Sequence, residues 1–326
     1  MVKRPTRRRG LTRQREVERP PQPPMHRTCG TMEVHNRLLE LYPEYRAALG
    51  RLKTATLARI AARTAAPDRP VTIPIVVHVV YRTSAENISD QQVLSEIDAL
   101  NRDYAATNSD RSNVPAVWSG LVSDCMIRFA LAKTDPNGNP TSGVTRTKTT
   151  VTSFPQDDSV KSSAAGGADA WPSDKYLNLW VCALGGGFLG YAQFPGGPAT
   201  TDGVVILNTA FGSVGTAAVP FNLGRTATHE IGHWLNLRHI WGDTEDCTGT
   251  DFVDDTPNAQ HPNYGKPMFP HVSCNNGPNG DMFMNYMDYV DDAAMVMFTN
   301  GQIARMQATL AGPRSGTIAT AQALTS

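Results

Sequence analysis

Three histidines within eleven residues constrain this chain more than anything else in it: HEIGHWLNLRH, from His229 to His239. Residues four apart share one face of a helix, so His229 and His233 can grip one metal ion together. Glu230, one step round the helix, can reach the water that such an ion activates. A catalytic zinc wants three protein ligands and one open position. His239 can be the third only if the helix stops after Leu235 and the chain doubles back. Asn236 supplies the means, because after Gly it is the residue most tolerant of positive φ. The spacing predicts a helix over 223–237, a sharp turn at Asn236, and a Zn2+ site of His229, His233 and His239 with Glu230 as proton acceptor.

The remaining pattern reads as an α/β domain. VTIPIVVHVVY (71–81) is β-branched and apolar, a buried strand. Residues 89–108 start with Ser89 and Gln92 in capping-box positions, and Val93, Ile97, Leu100 and Tyr104 form one helical face. Further strands are expected over 125–133, 176–184, 188–195 and 203–208. Residues 240–284 are rich in Asp, Asn, Gly and Pro without periodicity, and a segment of that length needs something to pin it. A last helix starts at Thr299, with Gln302 in its capping box, and runs to about Leu310. Upstream, 31–63 reads as helical: Leu38, Leu39, Tyr42, Tyr45 and Leu49 recur at helical spacing, and Leu52, Leu57 and Ile60 follow Gly50. AARTAAPDRP (61–70) is a linker.

Charge divides the chain further. Net charge is zero, yet residues 1–24 carry eight Lys/Arg against two Glu. Composition makes this a solvated, disordered arm ahead of a nucleic-acid-binding one. No apolar core of a secretory signal follows the basic N-terminus, and no apolar run approaches the ~18 residues of a membrane span. The expected division is a basic arm (1–24), an inhibitory pro-segment (25–66), a zinc-dependent catalytic domain (67–315) and a flexible tail (316–326).

Five cysteines are present, and Cys29 stands apart in HRTCGT. Its basic setting favours thiolate, which could occupy the fourth zinc position and exclude water. Cys247 and Cys274 flank a stretch that buries little, so a disulfide between them is expected, whereas Cys125 and Cys182 lie on strands and read as buried thiols. Asp251, Asp254 and Thr256 offer closely spaced hard oxygens, a candidate Ca2+ site. His78 alternates within a strand and reads as structural. His261 and His271 sit in the irregular lobe, and His26 and His35 are expected to be exposed.

HEIGHWLNLRH resembles the metzincin signature HExxHxxGxxH, departing only in Asn236 for Gly. MNYMDYVDD (284–292) resembles the Met-turn of that clan. LGYAQFPGG, CTGTDFVDDTPNA and MVMFTNGQIARM resemble the pappalysins, in particular their compact, ulilysin-like members. The likeness spans roughly 70–310. It implies a metzincin-like catalytic domain: a mixed, mostly parallel twisted sheet, a backing helix, an active-site helix and an irregular C-terminal subdomain. It further implies Met287 beneath the metal, Tyr289 donating a hydrogen bond to the oxyanion, and a role for Cys29-Gly30 like the cysteine switch of related proteases. In metzincins the stretch after the Met-turn walls the pocket for the residue after the scissile bond. Asp291 or Asp292 there would favour Arg, then Lys. The activity implied is a latent endopeptidase acting on proteins or peptides, monomeric and secreted. A non-catalytic zinc-containing binding protein is the alternative, and intact Glu230 and Tyr289 argue against it.

Overall fold

The computed structural model describes residues 24–62 and 69–317. The basic arm expected over 1–24 lies almost wholly outside them, as do Arg63 and most of the tail. Among the described residues no helix is long and apolar enough to cross a membrane.

Pro43 decides how the N-terminal helical stretch divides. α1 (Thr31–Leu41) ends at Tyr42, whose extended backbone suits a residue before proline. α2 (Pro43–Ala61) then starts with that proline in its first turn, where no helical donor is lost. Gly50 lies inside α2 and breaks nothing. Val34, Leu38 and Tyr45 are buried together with Trp180, Tyr191 and Phe221 of the body, so these helices are docked against the sheet domain.

β1 (Val71–Tyr81) is apolar along its length because both its faces are buried, Ile73, Ile75, Val77 and Val79 in one core and Val76 and Val80 on the opposite side; neighbours pair along both its edges. β2 (Ile127–Leu131) pairs parallel with its first half and β3 (Val144–Lys148) parallel with its second half, on the same edge. β4 (Leu177–Cys182) pairs parallel with its other edge. β6 (Val204–Leu207) continues the sheet parallel, and β5 (Gly190–Ala192) closes it antiparallel, giving the order β2-β1-β4-β6-β5. The expected mixed, mostly parallel sheet is thus present, with strands a few residues shorter than the sequence suggested. β3 was not foreseen, because VTRTK is an edge strand with half-exposed polar residues.

α3 (Asp90–Tyr104) backs the sheet, its Val93, Ile97, Leu100 and Tyr104 sharing one core with Phe129 and Ile231. Ser89 caps it by accepting from Gln92 N (3.1 Å). The Gln92 amide does not return that bond; it donates to Asn208 O and Phe211 O instead, fixing the loop after β6. α4 (Arg225–Trp234) packs into the same core, and α5 (Asn300–Leu310) carries the complete Thr299–Gln302 capping box. His78 is structural, bonded to Thr145 and Asn178. His35 is not exposed as expected: docking of α1 buries it, with Nδ1 on Tyr45 Oη (2.9 Å). His26 is exposed.

The irregular lobe contains only β7 (Tyr264–Gly265), which pairs with β8 (Tyr289–Val290). Two devices pin it. Cys247 and Cys274 are bonded, closing a loop of sequence separation 27, a constraint of about 3–4 kcal/mol in the loop-entropy model. Buried Asp281 accepts from Ser273 Oγ (2.7 Å) and Asn276 Nδ2 (2.7 Å) and pairs with His271 (3.1 Å), while Asp288 accepts from Asn263 through backbone and side chain. Cys125 and Cys182 are buried free thiols.

Candidate active site

α4 ends at Leu235, and Asn236 takes a left-handed backbone with φ 74°. Asn236 N donates to His233 O and Leu237 N to Gly232 O, so the chain reverses within two residues. That reversal carries His239 back to His229 and His233. The three Nε2 atoms lie 3.0, 3.2 and 3.3 Å apart.

Each ring's other nitrogen is engaged. His229 Nδ1 donates to Tyr286 O (2.7 Å), His233 Nδ1 to Leu237 O (2.8 Å), and His239 Nδ1 meets Asp243 Oδ1. With the protons committed there, the Nε2 contacts set lone pair against lone pair rather than donor against acceptor. Such a cluster is repulsive until a cation sits among the nitrogens. Tetrahedral zinc at ~2.0–2.1 Å from each nitrogen would space them by about 3.3 Å, so the donor set fits the ion. Burial holds the His229 and His233 pKa values well below the ordinary range, which keeps both rings neutral ligands. Fixing each tautomer from outside is the familiar second layer of a metal site.

Gly232 and Gly190 make room around this cluster. A Cβ on Gly232 would stand 2.5 Å from Met287 Sδ, so Met287 packs against α4 at the turn that presents His233. A Cβ on Gly190 would stand 2.9 Å from Glu230 Cγ, so Glu230 lies hard against edge strand β5.

The N-terminal segment runs through the site. Thr28–Gly30 pairs parallel with β5: Leu189 N donates to Thr28 O and Gly30 N to Gly190 O, both at 2.9 Å. Cys29 Sγ and the three His ligand atoms all lie within 4.8 Å of one another, and no other group of three or more metal-ligating residues of this kind occurs among the described residues. Glu230 Oε2 accepts from Thr31 Oγ1 (2.9 Å) and from Cys29 Sγ (3.2 Å). Burial pushes the Glu230 pKa up to about 8 despite those donors. Tyr289 Oη accepts from Cys29 N and donates to Cys29 O, both at 3.3 Å.

The basic setting expected around Cys29 does not reach its thiol. Arg27 turns away, and burial, then the Glu230 carboxylate, push the Cys29 pKa well up. Only a metal held by the imidazoles could favour the thiolate there. Arg27 is itself buried: Nη2 donates to Asp292 Oδ1 (2.5 Å), Nε to Val290 O (3.1 Å) and Nη1 to Thr226 Oγ1 (3.2 Å). Asp292 also accepts from Leu223 N (2.7 Å). Asp291, half-buried, has no ion pair among the described residues. Asp251 and Thr256 come together (2.7 Å), but Asp254 is exposed and apart from that bond.

Sequence reasoning missed Arg27, Thr31 and Asp243. Arg27 was visible two residues before Cys29, but its partner is 265 residues away. Asp243 stands four residues beyond His239 in a stretch with no helical period to signal it.

Residues 161–311 match the peptidase family described as pregnancy-associated plasma protein-A. An extracellular metalloprotease of Pyricularia oryzae is 33% identical over 302 residues, covering 88% of this chain and 90% of the relative. Mature mirolysin of Tannerella forsythia, solved with a cleaved peptide, is 49% identical with a TM-score of 0.77, covering 80% of this chain and all of that one. A promirolysin mutant of the same organism is 45% identical with a TM-score of 0.82, covering 92% of this chain and 98% of that one. Fold, donor set and these likenesses agree: the chain belongs to the pappalysin family of metzincin zinc metalloproteases.

Proposed function

We propose that this metalloprotease is made as a latent precursor, that residues 25–66 are its inhibitory segment and 67–315 its catalytic domain, and that the released enzyme cleaves before Arg and, second, Lys. One observation carries the reading. A single short stretch puts Cys29 beside the three imidazoles and Arg27 on buried Asp292 at the same time. The promirolysin likeness covers more of this chain than the mature one does, 92% against 80%, which supports a removable N-terminal part.

In this reading His229, His233 and His239 hold the zinc, with Met287 packed below. Zinc, when bound, acidifies a water and polarises the scissile carbonyl. Glu230 accepts the proton of the attacking water and returns it to the leaving amine. Tyr289 donates to the oxyanion once Cys29 has left its hydroxyl. Asp292, with its backbone donors already in place, gives an incoming guanidinium a buried counter-charge. Cleavage before Arg would let the enzyme process its own linker, where Arg69 is exposed just ahead of β1.

A peptide-library digest with the segment removed tests the specificity. Cleavage before Arg is expected, and Asp292→Asn should reduce kcat/KM on Arg peptides by about 10²–10³-fold, the scale of one broken buried charge pair. Cleavage mainly before Leu or Phe, indifferent to Asp292→Asn, would remove the acidic pocket from the account.

The irregular lobe is proposed to bind Ca2+ through Asp251, Asp254 and Thr256. Asp251 is buried without an ion pair among the described residues, and burial pushes its pKa up to about 7. Re-adding calcium alone to chelator-treated, zinc-reloaded protein is expected to raise Tm by several degrees, and Asp251→Asn to abolish the gain. Identical melting with and without calcium would exclude the ion. Relatives named extracellular metalloproteases and the disulfide support secretion, and the enzyme is proposed to act as a monomer on proteins or peptides.

A further inference from the structure

Beside the turn that follows α4, three cations line one cavity whose lining holds no carboxylate. The cavity lies between α2 and the turn that carries Asn236 and Arg238, and Lys53, Phe252 and Arg305 complete its lining. Arg305 is 5% exposed; its Nε donates to Asn236 O (2.6 Å). Lys53 Nζ and the Arg305 guanidinium both face the Phe252 ring, at 4.6 and 5.6 Å from its centroid. Arg238 rests on Phe194 and leans toward His35 Nε2 (3.4 Å), which burial and Arg238 itself keep neutral. The nearest carboxylates act from outside the lining: Asp243, which is bonded to His239, on Arg238, and Asp251, which is bonded to Thr256, on Arg305. The Asn236 Nδ2 donor is buried and has no hydrogen-bond partner. A buried donor left this way is costly unless something accepts from it.

We propose that this cavity binds a small tetrahedral oxyanion, sulfate or phosphate, held by Arg238, Arg305, Asn236 Nδ2 and Lys53. Guanidinium groups match such anions bidentately, and a lysine adds a point charge. Lys53 comes from the N-terminal segment and the other groups from the catalytic domain. The bound anion therefore bridges the two and strengthens docking of α2 by mass action. Burial and the neighbouring Arg238 draw the Arg305 pKa down to about 10 against the opposing pull of Asp251, in keeping with a cation whose charge is only partly balanced. The site rests on this geometry alone; its effect on activation rests on the latency reading above.

Calorimetric titration of sulfate into the full-length chain, in chloride buffer at constant ionic strength, tests it. One site per chain is expected. Lys53→Gln, on an exposed helix position, should weaken binding about tenfold, the scale of one charge-assisted contact. Arg305→Gln should abolish it. No saturable binding, or binding unchanged in Lys53→Gln, overturns the proposal. Sulfate binding that Lys53→Gln weakens upholds the site even where uncleaved Cys29→Ala shows no gain in activity, a result that would strike only at latency.

Discussion

Glu230→Ala is expected to retain its zinc and to lose on the order of 10³–10⁴-fold in kcat/KM, the upper range of general acid–base catalysis. The three imidazoles keep their places because none depends on Glu230: their outer nitrogens are held by Tyr286 O, Leu237 O and Asp243. What disappears is the one carboxylate on the reacting side of the cluster. Metal content by atomic emission and peptide cleavage, measured together on the segment-free form, decide the matter. Wild-type turnover in the mutant would refute Glu230 as the proton carrier. Lost zinc would move the residue from chemistry to metal retention.

Cys29→Ala in the uncleaved chain should give the opposite sign. Its thiol lies with the three ligand nitrogens and also contacts Glu230. On the latency proposed above, truncation removes the group that would compete with water for the metal and leaves an alanine that can neither bind it nor contact Glu230. Each 1.4 kcal/mol lost from segment docking raises the open fraction about tenfold, so a gain of at least that size is expected. Full mature activity is not expected, because Arg27 still bonds Asp292 and Thr31 still bonds Glu230. Equal activity of wild-type and mutant uncleaved chains would reduce the segment to a folding aid.

What the sequence disclosed is what local chemistry encodes. The helix period around His229, the positive-φ tolerance of Asn236 and the Thr299–Gln302 box all act within a few residues, and the structure follows them closely. β1 was plain because a strand buried on both faces is apolar throughout. β3 was hidden because its alternation is carried by Thr, Arg and Lys. The division of α1 from α2 turned on Pro43, where the apolar spacing drew attention to Gly50. Partners distant in the chain were the least legible: nothing near Arg27 announces Asp292, and nothing near His35 announces its burial against Tyr45 and Phe194. Cys29 shows the same limit from another side, since its basic neighbours in sequence are not its neighbours in space.

α5 has a further consequence. From one of its faces Gln302 exchanges two amide hydrogen bonds with Asn285, whose Oδ1 also accepts from Met287 N, and Arg305 holds Asn236 O. One helix thus fastens both Met287 and the turn that carries His239 back to His229 and His233. Loosening either should be felt by the other through α5, so the C-terminal helix and the histidine cluster are expected to open together. Amide protons of α5, far from any ligand atom in sequence, should lose their protection against hydrogen exchange when zinc is withdrawn.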